Sequence, residues 1–189
     1  MLKKTLITTA ILAATTQFAF ANGGTYVPEV EKGAQLNTGY YIGAGADLNY
    51  GNKINSGSGN WGRPITAELF GGYGINWTNF ISTSFELFGT VGGNKNYTYG
   101  ARFLPGIMIY KDLMAFGNIG YVRGNLYPNP SEFNSNKVAN GIQFGAGLQT
   151  KVFDNVSLRG GWNRNYFSAY GVHPKVDQYY LSAIYHFTV

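Results

Sequence analysis

The amino-acid sequence predicts an all-β chain: an eight-stranded antiparallel up-and-down β-barrel that crosses a membrane. Three observations predict it. Apolar and polar residues alternate with a period of two over eight stretches from Gly39 onward. Every mid-strand charge (Asp47, Glu68, Glu86, Arg102 and Arg159) falls on the set opposite the continuous apolar one. The final stretch, Tyr179–Val189, alternates Tyr179, Leu181, Ala183, Tyr185, Phe187 and Val189 with a mixed, uncharged set. A terminal edge strand in water would be shortened or charged to prevent pairing with other chains. This one requires a partner strand and an apolar environment.

Composition points the same way. The 189 residues include 27 Gly, 15 Tyr and 13 Phe, and only 12% are charged, against about a quarter in ordinary soluble domains. Such a chain is too aromatic and too poor in charge for disorder. Beyond the N-terminal stretch it contains no apolar run long enough for a helical span. Strands with one face to lipid and one to a polar interior reconcile these facts. There is no cysteine, which excludes a disulfide framework and thiolate metal sites. The formal net charge of +5, or +3 without Lys3 and Lys4, is a mild excess that does not by itself argue for nucleic acid, which would need a basic patch on one face.

At the N-terminus, Lys3 and Lys4 precede the uncharged stretch Thr5–Phe18, and Ala19-Phe20-Ala21 supplies a small-x-small cleavage pattern. Residues 1–21 are therefore expected to be a cleaved signal peptide. An uncleaved anchor is disfavoured by the short apolar run and by Asn22-Gly23-Gly24. Residues 22–38, with Pro28, Glu29, Glu31 and Lys32 and no sustained period, read as a periplasmic arm. Residues 39–189 read as the barrel.

The first strand, Tyr40–Tyr50, sends Tyr40, Ile42, Ala44, Ala46, Leu48 and Tyr50 outward and Gly43, Gly45, Asp47 and Asn49 inward. Gly51–Gly62 is a loop by its Gly, Asn and Ser content. The second strand, about Pro64–Ile75, carries Thr66, Glu68, Phe70 and Gly72 inward, and Asn76–Asn79 connects it to the third, Phe80–Val91. That strand turns Ser82, Ser84, Glu86 and Thr90 inward. After Gly92–Asn96 the fourth, Tyr97–Tyr110, contains Pro105, expected to weaken it locally or to mark a bulge. Lys111-Asp112 leads to the fifth, Leu113–Arg123, whose two faces are both apolar, so periodicity does not assign them. Gly124–Val138 is the longest loop. The sixth, Gly141–Lys151, points Gln143, Gly145, Gly147, Gln149 and Lys151 inward, and the seventh, Val156–Phe167, points Ser157, Arg159, Asn163 and Asn165 inward. Ser168–Lys175 is a loop before the closing strand. Connectors thus alternate longer and shorter around an even strand count, the plan of a transmembrane barrel. Aromatic residues at the strand ends favour this over a water-soluble barrel, which would turn its apolar set inward.

Asn140–Arg159, with its run Gly141-Ile-Gln-Phe-Gly-Ala-Gly-Leu148, resembles the penultimate hairpin of small outer-membrane barrels similar to the OmpA transmembrane domain and the opacity-type surface antigens. Tyr185-His-Phe187 is similar to their closing strand. The resemblance covers nearly all of residues 39–189. It implies a non-enzymatic surface protein of the Gram-negative outer membrane, with periplasmic termini and assembly by the barrel-assembly machinery. Its role would lie in envelope integrity or in contact with a host or other surface ligand through the loops. The family usually ends on Phe, whereas Phe187 is followed by Thr188-Val189.

Candidate sites are few. Gly43-Ala-Gly45 and Gly145-Ala-Gly147 open no helix and complete no dinucleotide fingerprint; they read as lumen glycines making room for bulky neighbours. The only histidines are His173 and His186, and no nucleophile and base share one strand face, so neither a lipid A-modifying enzyme nor a metal or cofactor site is expected. The lumen charges form the most specific constellation. A turn centred on Trp77 would set Glu68 opposite Glu86, and one centred on Asn94 would set Glu86 opposite Arg102. The expected row is Glu68–Glu86–Arg102, with Arg159 reaching in from the far wall. Either it is a gate or proton path, as in a small porin-like channel, or it is a polar plug; the narrow lumen of eight strands favours the plug. Lys53, Arg63, Lys95, Arg123, Lys137, Arg164 and Lys175 line the outer rim with few acids nearby, Glu132 and Asp177. Such a rim could contact lipopolysaccharide phosphates or simply solubilise the loops.

Overall fold

The computed structural model describes residues 36, 38–51, 65–92, 97–125, 138–168 and 175–187. The expected leader with its cut after Ala21, nearly all of the arm, the four longer connectors and Thr188-Val189 lie outside the described residues. The described residues contain no helix and form eight strands: β1 Gly39–Gly51, β2 Ile65–Asn76, β3 Ile81–Gly92, β4 Tyr97–Tyr110, β5 Leu113–Asn125, β6 Val138–Phe153, β7 Val156–Ser168 and β8 Lys175–His186. Each pairs antiparallel with its sequence neighbours, and β1 pairs with β8 to close the barrel. Closure leaves no free edge, so the ladders bond strand to strand without help from water.

The strands are tilted. Following the hydrogen-bonded row from Gly43 through Phe70, Phe88, Gly100, Val122 and Gly141 arrives at Phe167 on β7. Following it the other way, through Ile184, arrives on β7 at Ser157, near that strand's opposite end. A row that fails to meet itself is the stagger that tilted strands impose on a closed sheet. Strands of 12 to 16 residues exceed the roughly 9–11 needed to cross hydrocarbon when tilted.

The alternation read from the sequence is the one observed. Ile42, Leu69, Leu87, Ile107, Ile142 and Leu181 are exposed on the outside, while Asp47, Glu68, Glu86, Arg102 and Arg159 are all buried inside. An exposed apolar surface this extensive marks contact with a non-aqueous phase. β5, ambiguous from sequence, points Met114, Phe116, Asn118 and Val122 inward. Aromatic residues gather toward both ends, in contacts such as Tyr40–Tyr73 and Tyr185–Phe187 at the short-turn end and Tyr50–Tyr179 at the other.

Pro105 weakens the sheet locally: it pairs opposite Thr83 on the β3 side, but on the β5 side the ladder passes from Phe103↔Ile119 to Gly106↔Phe116 and skips Leu104 and Pro105 without a change of register. The register shift in β4 lies elsewhere, between Met108 and Tyr110, beside the Lys111-Asp112 turn. Two expectations need correction. β8 begins at Lys175, four residues before the alternating run that drew attention to it, and ends at His186. Finally, the β2–β3 turn is Trp77-Thr78-Asn79-Phe80. Thr78 Oγ1 accepts from the amides of Phe80 and Ile81, and Trp77 N donates to Ile81 O at 2.9 Å. This turn is centred two residues later than expected, so Glu68 pairs with Thr90 and Glu86 with Gly72. An even displacement leaves each side chain on its own face.

Candidate functional site: the charged core of the lumen

The lumen is filled by side chains, as eight strands require. At its middle, Glu86 on β3 lies opposite Arg102 on β4. Arg102 Nε donates to Glu86 Oε2 at 2.6 Å, and its Nη2 reaches Glu68 Oε1 at 2.5 Å. One guanidinium therefore joins the two carboxylates that the register separates. Arg159, from β7 across the lumen, donates through Nη1 to Glu86 Oε1. The same oxygen accepts from Tyr41 Oη at 2.7 Å, and Gln149 Oε1 takes the Nε and Nη2 of Arg159.

Aromatic rings frame both cations. Arg102 Cζ lies 4.8 Å from the Phe88 centroid and 5.3 Å from that of Phe70. Arg159 Cζ lies 5.2 Å from Phe70 and 5.1 Å from Phe116. Phe70 thus contacts both guanidiniums, with attraction between cation and ring face added to the ion pairs. Phe70 fits because it lies across the ladder from Gly43: a Cβ there would meet the ring at 2.2 Å. The glycine motif therefore serves packing.

Above this ionic layer, toward the longer connectors, runs a second, largely neutral chain of hydrogen bonds. Asn118 Nδ2 donates to Asn163 Oδ1, Asn163 Nδ2 to Gln178 Oε1, and Gln178 Nε2 to Asp47 Oδ2. Thr66 completes it by donating to Asp47 from β2, and Gln143 separately donates to Asn165. The polar groups span the bore: Glu68, Glu86, Arg102 and Arg159 pair their charges at short range, whereas Asp47 is held by the neutral donors Thr66 and Gln178.

The structure brings Glu68, Glu86, Arg102 and Arg159 into one cluster. Tyr41, Gln149 and the flanking phenylalanines join it, although the sequence reading did not single them out for the site. Tyr41 carried a signal, as an aromatic hydroxyl on the polar parity of β1. One expectation changes: Ser157 Oγ and His186 Nε2 lie 3.0 Å apart across β7 and β8. A nucleophile and base do meet, through neighbouring strands. Among the described residues no carboxylate hydrogen-bonds His186 Nδ1, so those residues supply the pair with no orienting third group of the kind a catalytic triad uses.

The rim is less uniformly available than expected. Lys53, Arg63, Lys95 and Lys137 lie outside the described residues, as do Glu132 and His173. Arg123 is exposed on the outer face, and Lys175 Nζ lies 5.3 Å from the Tyr166 ring centroid. Arg164 is engaged: its Nε and Nη2 bind Asp177 at 2.7 and 2.9 Å, and Asp177 also accepts from Trp162 Nε1. This pair is partly exposed, so Asp177→Asn is expected to lower stability only slightly, and less at high salt. Urea unfolding at two ionic strengths measures it.

No protein-family profile and no curated protein matches the chain. Solved structures do. Ail, the attachment invasion locus protein of Yersinia pestis, superposes with a TM-score of 0.56 at 16% identity, covering 79% of this chain and 99% of its own. Ail in complex with the heparin analogue sucrose octasulfate gives 0.57 at 17% identity over the same shares. Neisserial surface protein A gives 0.58 at 15%, covering 79% of this chain and 98% of its own. These identities establish architecture, and the chain has the fold of the small eight-stranded bacterial outer-membrane barrels.

Proposed function

We propose that the protein is a non-enzymatic barrel of the bacterial outer membrane, with its lumen closed to ions and its surface role carried by the loops at the long-connector end. The observation that carries this reading is the Glu68–Arg102–Glu86–Arg159 network, which spends its charges on one another across the bore and leaves none to escort a permeant ion. In this reading residues 1–21 are removed on export, the barrel-assembly machinery inserts residues 39–189, and both termini face the periplasm. The aromatic ends sit at the two membrane interfaces. The rim cations Arg123 and Lys175, which make no ion pair among the described residues, supply with the basic residues of the loops affinity for the phosphates of lipopolysaccharide or for an anionic surface ligand. Binding of a sulfated sugar by Ail makes such a ligand worth testing.

Planar-bilayer recording of the folded protein tests the closed lumen: no unitary conductance is expected, and stable ion-selective steps would favour a small channel. Lipid A mass spectrometry with and without expression should give identical spectra; a new acylation pattern would assign an enzyme.

A further inference from the structure

Three features converge where the chain enters the barrel, at the short-turn end. Leu36 belongs to no strand, yet it is only 2% exposed. Its carbonyl accepts from Gln149 Nε2 at 3.2 Å, a contact between residues 113 positions apart. Gly39, the first residue of β1, has φ of 90°, a left-handed value that residues with a side chain rarely adopt. At the foot of an extended strand, that conformation turns the incoming chain off the strand's line. Gln149 is itself fully buried and is held from its other side by Arg159, which in turn holds Glu86. The backbone of Leu36 is thus the last acceptor in a line of hydrogen bonds leading out from the centre of the lumen.

We infer that Leu36 is an internal stopper, its side chain filling and its carbonyl locking the mouth of the lumen at this end. The seat takes one branched apolar side chain and one backbone carbonyl, and Leu36 supplies both. Without it, water would have a route past Gln149 to the Arg159–Glu86 pair. The inference depends on no loop or outer-face contact and stands apart from the surface role above.

The absence of cysteine makes a single introduced thiol a clean probe. Ser157 is 1% exposed near this mouth, and Asn165 lies toward the opposite end of the same strand. Ser157→Cys and Asn165→Cys are each reacted with a small charged thiol reagent in the folded, full-length protein, with and without Leu36→Asp or Leu36→Ala. Heat-modifiable gel migration confirms that each barrel is closed. The expected result is slow labelling at position 157 when Leu36 is present, accelerated tenfold or more by either Leu36 variant, with position 165 unchanged. Fast labelling with Leu36 in place would overturn the inference. So would no acceleration in a closed variant, or equal acceleration at both positions. Should Leu36→Asp fail to fold, Leu36→Ala decides alone, because it keeps the carbonyl and removes only the stopper.

Discussion

Replacing Arg102 with methionine is expected to destabilise the barrel by about 3–5 kcal/mol, the loss typical when one partner of a buried ion pair is removed. Arg102 is bonded to Glu68 and Glu86 at once and lies against Phe70 and Phe88. Among the described residues, its removal leaves Glu68 without a cation and Glu86 dependent on Arg159 alone. Methionine of similar length restores packing but no donor, so the cost is electrostatic. Arg102→Lys should recover only part of it, because one ammonium cannot reproduce the planar fork that spans both acids. Reversible urea unfolding in lipid vesicles, followed by tryptophan fluorescence and heat-modifiable migration, measures the difference. If Arg102→Met unfolds within about 1 kcal/mol of the parent protein, well short of the buried-pair cost, the ionic layer contributes nothing to the fold.

The second large effect lies on the other face. Leu87, midway along β3, is exposed on the outside. Leu87→Arg is expected to cost about 2–4 kcal/mol in a bilayer, whereas Val91→Arg, near the end of the same strand and on the same face, should cost about 0–1 kcal/mol. The gradient matters more than either value, because it reports the depth of each site in hydrocarbon. In water both positions are equally solvated, so equal and small losses at both would mean that this surface does not meet lipid.

The faces of most strands were legible in the sequence because a period of two needs no knowledge of partners. Glu86 opposite Arg102 was legible too, since Gly92–Asn96 allows few hairpin centres. β5 was not, because both its faces are apolar: Met114, Phe116 and Val122 pack inside the lumen while Leu113, Ile119 and Tyr121 face out. The β2–β3 register failed on a local detail, the Thr78 hydroxyl that fixes the turn around Asn79. The cluster nonetheless forms, because arginine is long enough to span the separation that the true register creates between Glu68 and Glu86. Ser157 and His186 were invisible as a pair until the β7–β8 register was known, for the two residues are 29 apart in sequence. Leu36 lies in a stretch with no periodicity, and only its tertiary partner reveals it.

The β1–β8 seam has a consequence for how such a chain can be made. Asp47 and Gln178, hydrogen-bonded across it, are 131 residues apart, nearly the whole barrel domain. Until the final strand arrives, the first has one unsatisfied side, and any incomplete sheet exposes two raw borders to oil. Intermediates with fewer strands gain little shelter, so insertion should behave as a single concerted event whose rate is limited by bringing the two ends of the domain together. A truncated product lacking β8 would then have no smaller stable form to fall back on, and its fate would be degradation before it reaches the bilayer.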